Sequence, residues 1–355
     1  MSFISLLIPR LSWNLKGGMQ KMSRFVTNTP PPEVARELFI PATDEEKAAA
    51  EVMRPTTTYW QDAWRRLKQN KLALGSLIIV SILFIACVII PMISPYGFEQ
   101  ILKDEVQQPP SLRHPFGTDN LGRDLLVRCM VGTRISLAIG FISAIFVTIV
   151  GIVYGAVSGY VGGWVDTAMM RVVDVIYAVP TVLIAILLQV VLDEPIRNWA
   201  IHNPSLGVLQ DIGVGIFSII VIMILLFWVD MARIVRGQVL ALKQQEYVMA
   251  SRTLGAKGKH IIFRHLIPNC MGEIIVTATF KIPQAIFYEA FLSFIGLGVS
   301  PPMASLGSLV NSGIKTIYTY PLDLIFPAVL ISLIILAFNL LGDGLRDALD
   351  PRLKR

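Results

Sequence analysis

Charge is scarce in this chain. Only 16% of its 355 residues are Asp, Glu, Lys or Arg, while 54% are hydrophobic. An average soluble domain carries about 25% charged residues, so composition points to a membrane-embedded protein. Cysteine is nearly missing as well. Cys87, Cys129 and Cys270 form no CxxC pair and have no His at ligand spacing. Neither a disulfide framework nor a zinc site is expected. His114, His202, His260 and His265 are scattered, and each reads as a polar loop or interfacial residue. No HExxH, Ser/His pair or paired-Asp motif lies inside an apolar run, which argues against an intramembrane hydrolase. No G-x-x-x-x-G-K-[ST] occurs either. "GAKGKH", from Gly255 to His260, lacks both the spacing and the hydroxyl, so no P-loop binds ATP here. A cleavable signal peptide is not expected. Met1 to Ile8 are apolar but lead straight into Pro9 and Arg10, with no basic n-region, and Met19 and Met22 read as alternative starts.

What the chain does have is long apolar runs. A hydrocarbon core of about 30 Å takes about 20 helical residues. Six stretches meet that length: Leu72–Ile93, Ile135–Tyr160, Thr167–Leu192, Ile212–Val235, Gly272–Leu297 and Leu322–Gly342. The third carries Arg171 and Asp174, three residues apart on one helix face and placed to pair. Lys and Arg are more than twice as frequent beside the inner ends as beside the outer ones when both termini are cytoplasmic. The net charge of +6 is therefore topological, and nucleic acid is not an expected partner. Residues 1–58 read as a cytoplasmic tail, partly disordered, from their Pro, Thr, Ala and acidic content. Residues 59–132 read as the first transmembrane helix plus an extracytoplasmic loop, 133–343 as the main transmembrane domain and 344–355 as a cytoplasmic tail.

Within the spans, Gly151, Gly155 and Gly159 form a small-residue stripe suited to close helix packing. Pro180, Pro283 and Pro327 interrupt the third, fifth and sixth spans, so kinks are expected there. Lys281 and Glu289 are charges inside the fifth span. Their eight-residue separation is about 12 Å along a helix, too far for a direct pair. With Tyr288 they are the expected translocation-path or gating positions. The segment Pro95 to Arg134 has two readings, a docking surface or a cap over the helices. Leu125, Leu126, Cys129 and Met130 there suit an interfacial helix.

A polar stretch between the fourth and fifth spans is the most informative. Arg236 to Leu254, "RGQVLALKQQEYVMASRTL", reads as one helix with Leu240, Tyr247, Ser251 and Leu254 on a face. Gly255 stands where a left-handed residue ends a helix. A shorter basic helix from about Lys257 to Ile267 comes next, and Pro268 opens the fifth span. A rigid two-helix corner, too polar to cross a bilayer, suits a knob that docks into another protein.

That stretch resembles the EAA loop of ABC importer permeases, in which Glu-Ala-Ala is followed after three residues by Gly and further on by Leu-Pro. The triplet falls on Met249, Ala250 and Ser251, the glycine on Gly255, and the Leu-Pro on Ile267 and Pro268. Met249 stands in place of the acid and Ser251 in place of the second alanine. "HPFGTDNLGRDLLVRCMVGTRISLAIG", "EAFLSFIGLGVSPPMASLGSLV" and "NLLGDGLRDALDPRLKR" resemble, in order, further signatures of the C-type permease subunit of dipeptide/oligopeptide/nickel importers. Ala304 and Leu306 stand where Pro and Trp are usual. The resemblance runs from Tyr59 to Arg355. It implies an all-α integral membrane protein of the type I ABC importer permease fold, with six transmembrane helices and coupling helices in the loop 236–268. It further implies Glu246, Met249, Ala250, Ser251, Gly255, Ala256, His265 and Pro268 as ATPase-coupling positions. It implies a second, homologous permease, two ATPase subunits that bind ATP and Mg, and an extracytoplasmic binding protein as partners, all in membrane lipid. No catalytic residue, metal or cofactor is expected in this chain. Oligopeptides or dipeptides are the implied cargo, with nickel or opines open. A self-powered secondary transporter is the rival from another class.

Overall fold

The protein is described from a computed structural model covering residues 58–202, 214–299 and 302–349. Expectations for the N-terminal tail before residue 58, for the start of the fourth span at 212–213 and for the chain from residue 350 lie outside the described residues. Among the described residues every regular element is helical, apart from one isolated bridge between Thr118 and Asp124.

The first helix, α1 (Tyr59–Gln69), is amphipathic and too polar to span. Gln61 Oε1 accepts from the Thr58 amide at 3.1 Å, holding the first turn. Asp62 accepts from Arg66 at 3.0 Å one turn on. Asn70 then ends α1 and begins α2 (Lys71–Ile93), its side chain accepting from the Leu72 and Ala73 amides. The buried Ala63 and Leu67 of α1 pack against the end of the last helix, α12 (Leu322–Leu349). Tyr59 Oη seals that contact by donating to the Leu349 carbonyl at 3.2 Å. The segment expected to be a tail from residue 344 is therefore helix as far as Leu349. The basic run before the first span is likewise a packed helix and more than a charged flank.

Helix α3 (Leu125–Val161) begins ten residues before the expected second span. Asp124 caps it, accepting from the Val127 amide at 2.8 Å. Its first turns do not lie along an interface: Leu125, Cys129, Met130 and even Arg128 are buried. Residues 94–124 fold over this end as a cap. His114 is buried between Asp124 (2.7 Å) and Glu105 (2.9 Å), and Arg128 donates to the Phe98 carbonyl. Phe116 stacks on Phe326 of α12 at 4.1 Å. His114 is thus a loop residue, as expected, but a buried and doubly paired one that holds the cap together.

The third span is where expectation and structure differ most. Helix α4 (Gly163–Ala178) and α5 (Thr181–His202) meet at an angle of 87° instead of forming one kinked helix. Pro180 lacks the amide that would continue the ladder, and it forces Val179 into extended geometry (φ −91°, ψ 135°). Pro283 and Pro327, by contrast, sit inside helices that run on unbroken. The expected Arg171–Asp174 pair does not form, because Asp174 accepts from Arg233 instead at 2.8 Å. The remaining helices are α6 (Val214–Leu226), α7 (Trp228–Leu242), α8 (Glu246–Thr253), α9 (Gly258–Ile261), α10 (Ile267–Phe294) and α11 (Leu306–Ile314). Among the described residues, five helical stretches are long and apolar enough to cross a membrane, and the bent α4–α5 pair makes a sixth.

Apolar area cannot hold helices together in lipid, since lipid tails are as apolar as leucine; close packing and polar contacts must do it. The glycine stripe of α3 supplies the packing. A Cβ on Gly151 would sit 2.5 Å from the Met231 side chain, one on Gly155 3.0 Å from the Arg236 amide, and one on Gly159 3.0 Å from the Arg236 carbonyl. Backbone meets backbone along the α3–α7 seam, as the spacing predicts. We expect Gly155→Leu to destabilise the protein by about 1–3 kcal/mol or more through overpacking. Gly75→Leu, where no atom lies within 4 Å, should be near neutral. Thermal unfolding of the two variants in nanodiscs checks this, and equal midpoints would remove the seam from the account.

Candidate functional site

The polar knob begins where α7 stops. Lys243 reaches across and donates to the Gly159 carbonyl of α3 at 2.7 Å, one of the orphan acceptors at that helix end. Gln245 then turns extended (φ −73°, ψ 146°), so the helix expected from Arg236 to Leu254 is two helices, α7 and α8. The break changes which residues anchor the knob. Val239 and Val248 are buried, whereas Tyr247 and Leu254, expected to share a face with Leu240 and Ser251, are exposed.

The corner at Gly255 forms as expected. Its φ is +85°, the Gly255 amide donates to the Arg252 carbonyl, and the Ala256 amide donates to the Ser251 carbonyl at 3.1 Å. These are the paired bonds of a Schellman ending, which needs a residue free to be left-handed. Helix α9 comes next. A π-turn at Ile262–Leu266 then carries it straight into α10. The second arm is therefore not a separate helix ending at Ile267. Pro268 lies in this continuous rod just after the π-turn, in the first turn of α10, and marks no break.

The two arms are tied by Ser251 Oγ and His265 Nε2 at 3.3 Å. Val248, Ile261 and Leu266 are the buried roots. Of the expected coupling positions, Glu246, Met249, Ala250, Gly255 and Pro268 are exposed, and Ser251, Ala256 and His265 are half-buried. Met249, Leu254 and Phe263 leave large apolar side chains uncovered at 52%, 88% and 64% exposure, on a segment otherwise charged. Exposed apolar groups on a rigid polar knob are what a protein partner covers.

The root of the knob is held by an ion pair that no local spacing announces. Arg236 of α7 grips Asp166 of α4 with both Nε (2.5 Å) and Nη2 (2.6 Å), and Ser158 of α3 donates to the same carboxylate. Three helices thus meet on one aspartate. Arg252 of α8 lies over the Tyr160 ring of α3. Asp166 and Asp230 are both legible as acids inside apolar runs, "GWVDTAMM" and "LLFWVDMAR", a signal that marks a site by default.

Lys281 and Glu289 do not meet, in keeping with their spacing. Lys281 is buried and donates to Asp230 of α7 at 2.7 Å and to Gln284 at 3.0 Å. Glu289 is fully buried, accepting from Ser136 of α3 at 2.7 Å and from Ser293 at 2.8 Å. Tyr288, half-buried between them, packs on Phe227.

The described chain is thus a many-spanning helical protein with a compact polar corner between its fourth and fifth spans. The chain belongs to the binding-protein-dependent transport system inner membrane component family, whose model matches residues 151–355. Residues 58–110 match the N-terminal TM domain of oligopeptide transport permease C. The oligopeptide transport system permease protein OppC of Bacillus subtilis (strain 168) is 43% identical over 91% of this chain and 99% of its own length. The dipeptide transport system permease protein DppC of the same organism is 47% identical over 91% of this chain and 95% of its own. The oligopeptide permease OppC of Haemophilus influenzae is 40% identical, over 82% and 88%. A solved chain of the MetNI methionine ABC transporter aligns at 20% identity and a TM-score of 0.45, covering 64% of this chain and 96% of that one.

The corner supplies a test. A Cβ on Gly255 meets nothing within 4 Å, so the cost of a side chain there is purely conformational, about 1–2 kcal/mol. Gly255→Val should abolish most ATP-dependent uptake at normal membrane abundance, and Gly255→Asn, which tolerates the left-handed region, should keep most of it. Equal uptake by the valine variant and the parent would sink the corner as a functional element.

Proposed function

We propose that this chain is one of two homologous permeases of an ATP-driven peptide importer, receiving oligopeptides or dipeptides from an extracytoplasmic binding protein. The observation that carries the reading is the knob: two short arms locked by a Schellman corner and the Ser251–His265 contact, exposed apolar tips, and an ion-paired root in the spans. The names of the relatives support the cargo. Two ATPase subunits grip the knobs, bind ATP and Mg, and do the hydrolysis. This chain supplies no catalytic group and holds no cofactor. Glu246, Met249, Ala250, Ser251, Gly255, Ala256, His265 and Pro268 form or frame the contact. Closure of the ATPases pushes α8, and the push passes through Lys243 and Arg236 to α3, α4 and α7 as one body. Lys281, Tyr288 and Glu289 belong to the path or its gate. Both termini and the knob are cytoplasmic, in a bacterial cell membrane. The cap at residues 94–124 then faces outward, within reach of the binding protein.

One labelling experiment tests the orientation and the coupling together. In a background without Cys87, Cys129 and Cys270, a cysteine at Tyr318, which is fully exposed, should react with an impermeant maleimide added outside intact cells. A cysteine at Gln244 should react only after the membrane is opened, and less once the ATPase subunits are bound. Uptake in the same cells should survive a proton uncoupler while ATP is maintained. Reversed labelling would overturn the orientation, and collapse of uptake with the uncoupler would favour a self-powered transporter.

A further inference from the structure

Asp230 lies in the middle of the span Val214–Leu242, yet its side chain is 44% exposed on the surface of the chain. A carboxylate facing lipid at that position is costly, so its open side faces protein or water. Lys281 is the cation paired with it, and the Lys281 side chain is 7% exposed, so it comes to the carboxylate from within the bundle. One turn further along α7 the exposed pair Arg233–Asp174 continues the same polar stripe, with Arg233 over the Tyr177 ring.

Behind Lys281 the bundle is not filled. A cavity of about 10 Å³, room for a single water, is lined by Lys281, Gln284, Phe227, Met223 and Ser143. Ser143 is 1% exposed, and its hydroxyl is one of the few buried side-chain groups among the described residues without a hydrogen-bond partner. A buried hydroxyl left unpaired is costly and calls for an explanation. Besides a water, the cavity offers that hydroxyl a second partner, the neighbouring ammonium of Lys281. A lysine carries its charge on a flexible four-carbon stem and can serve two acceptors in turn.

We propose that Asp230 and Lys281 form a charge lock in the translocation path, opened by the two charged ends of a peptide. In the closed state Lys281 occupies Asp230. In the open state its ammonium keeps Gln284, which it already contacts, and turns from Asp230 toward Ser143. The peptide's α-ammonium takes its place on Asp230 as it leaves, and the peptide's α-carboxylate balances the Lys281 charge from the path. The exchange is electroneutral, because a zwitterion joins a neutral pair. That keeps uncompensated charge out of a low-dielectric span at every stage. The inference rests on the peptide reading above and adds that the free termini are recognised inside the membrane, independently of the binding protein.

The test uses the complete complex in liposomes, with three labelled probes: trialanine, N-acetyl-trialanine and trialanine amide. For each probe the rate of a variant is divided by the rate of the parent at saturating binding protein, so the binding protein's own preference cancels. Asp230→Asn should cut trialanine and the amide by about tenfold or more, while changing the N-acetyl form far less. Lys281→Met should spare the amide relative to the two probes with a free carboxylate. Ser143→Ala should slow all three. Complex yield and basal ATPase activity are read for every variant. The charge-swapped double variant, Asp230→Lys with Lys281→Asp, keeps the pair and should assemble, but it should handle trialanine poorly. Equal losses on all probes, loss of assembly with the partner permease in place of a changed preference, or full rescue by the swap would each overturn the proposal. A parent complex that imports no peptide would instead sink the peptide reading, and this inference with it.

Discussion

The rest of the structure depends on how closely α3 approaches α7. Lipid offers two apolar helices no reason to associate, so the association must come from backbone proximity and polar contacts. Gly151, Gly155 and Gly159 remove the side chains that would keep the two backbones apart. At that short separation the helices bring Ser158 and Arg236 onto a single carboxylate, that of Asp166. The order of causation matters here. A glycine stripe alone gives a close but slippery contact. A bidentate guanidinium fixes register, because both its geometry and its charge must be matched. The stripe and the ion pair therefore do different jobs on the same seam.

Register along that seam decides where the knob points. Helix α7 leaves the seam at Leu242, and Lys243 still holds the Gly159 carbonyl as the chain turns into α8. On the far side, the π-turn at Ile262–Leu266 feeds the second arm into α10 without a joint. A π-turn adds a residue to a helical turn and rotates the next turns of helix without breaking the rod. The knob itself turns twice, at Gln245, beside the Lys243 anchor, and at Gly255, where two backbone bonds lock the corner. Rigid connections at both roots are what a lever needs.

Much of this is legible from spacing. Three glycines at four-residue intervals predict a close helix contact whichever helix answers it, and a glycine between two polar helical stretches predicts a left-handed corner. Long apolar runs predict spans. The losses share one physical origin, which is that spacing carries no direct sign of which distant residue supplies a partner. Asp174 has Arg171 as its helical neighbour, but tertiary packing delivers Arg233. Asp166 and Asp230 are legible as acids in apolar runs, but their partners are not, because the cations lie seventy and fifty-one positions away. The burial and pairing of His114 are not legible either, because its two carboxylates, Glu105 and Asp124, are brought together only by the cap. The bent third span fails differently. A proline inside an apolar run reads as a kink, and only the extended backbone of Val179 turns the kink into a corner of 87°.

The two charged groups of the fifth span illustrate how burial separates residues that composition lumps together. Glu289 is enclosed completely, and the hydroxyls of Ser136 and Ser293 satisfy it from two helices. Its carboxylate joins α10 to α3 from inside the bundle, so of the two proposed roles, path and gate, it fits the gate. Lys281 is almost as distant from solvent but ends on a carboxylate that is half exposed. One charge is therefore part of the scaffold and the other stands at its edge. A helical bundle that kept both charges inside would gain nothing from the second, because a buried pair rarely beats apolar packing of equal volume. The half-exposed position of Asp230 is what gives Lys281 a reason to be there. A neutral pair holds shut a surface that would otherwise show a bare carboxylate, and it yields only to a molecule that brings both charges with it.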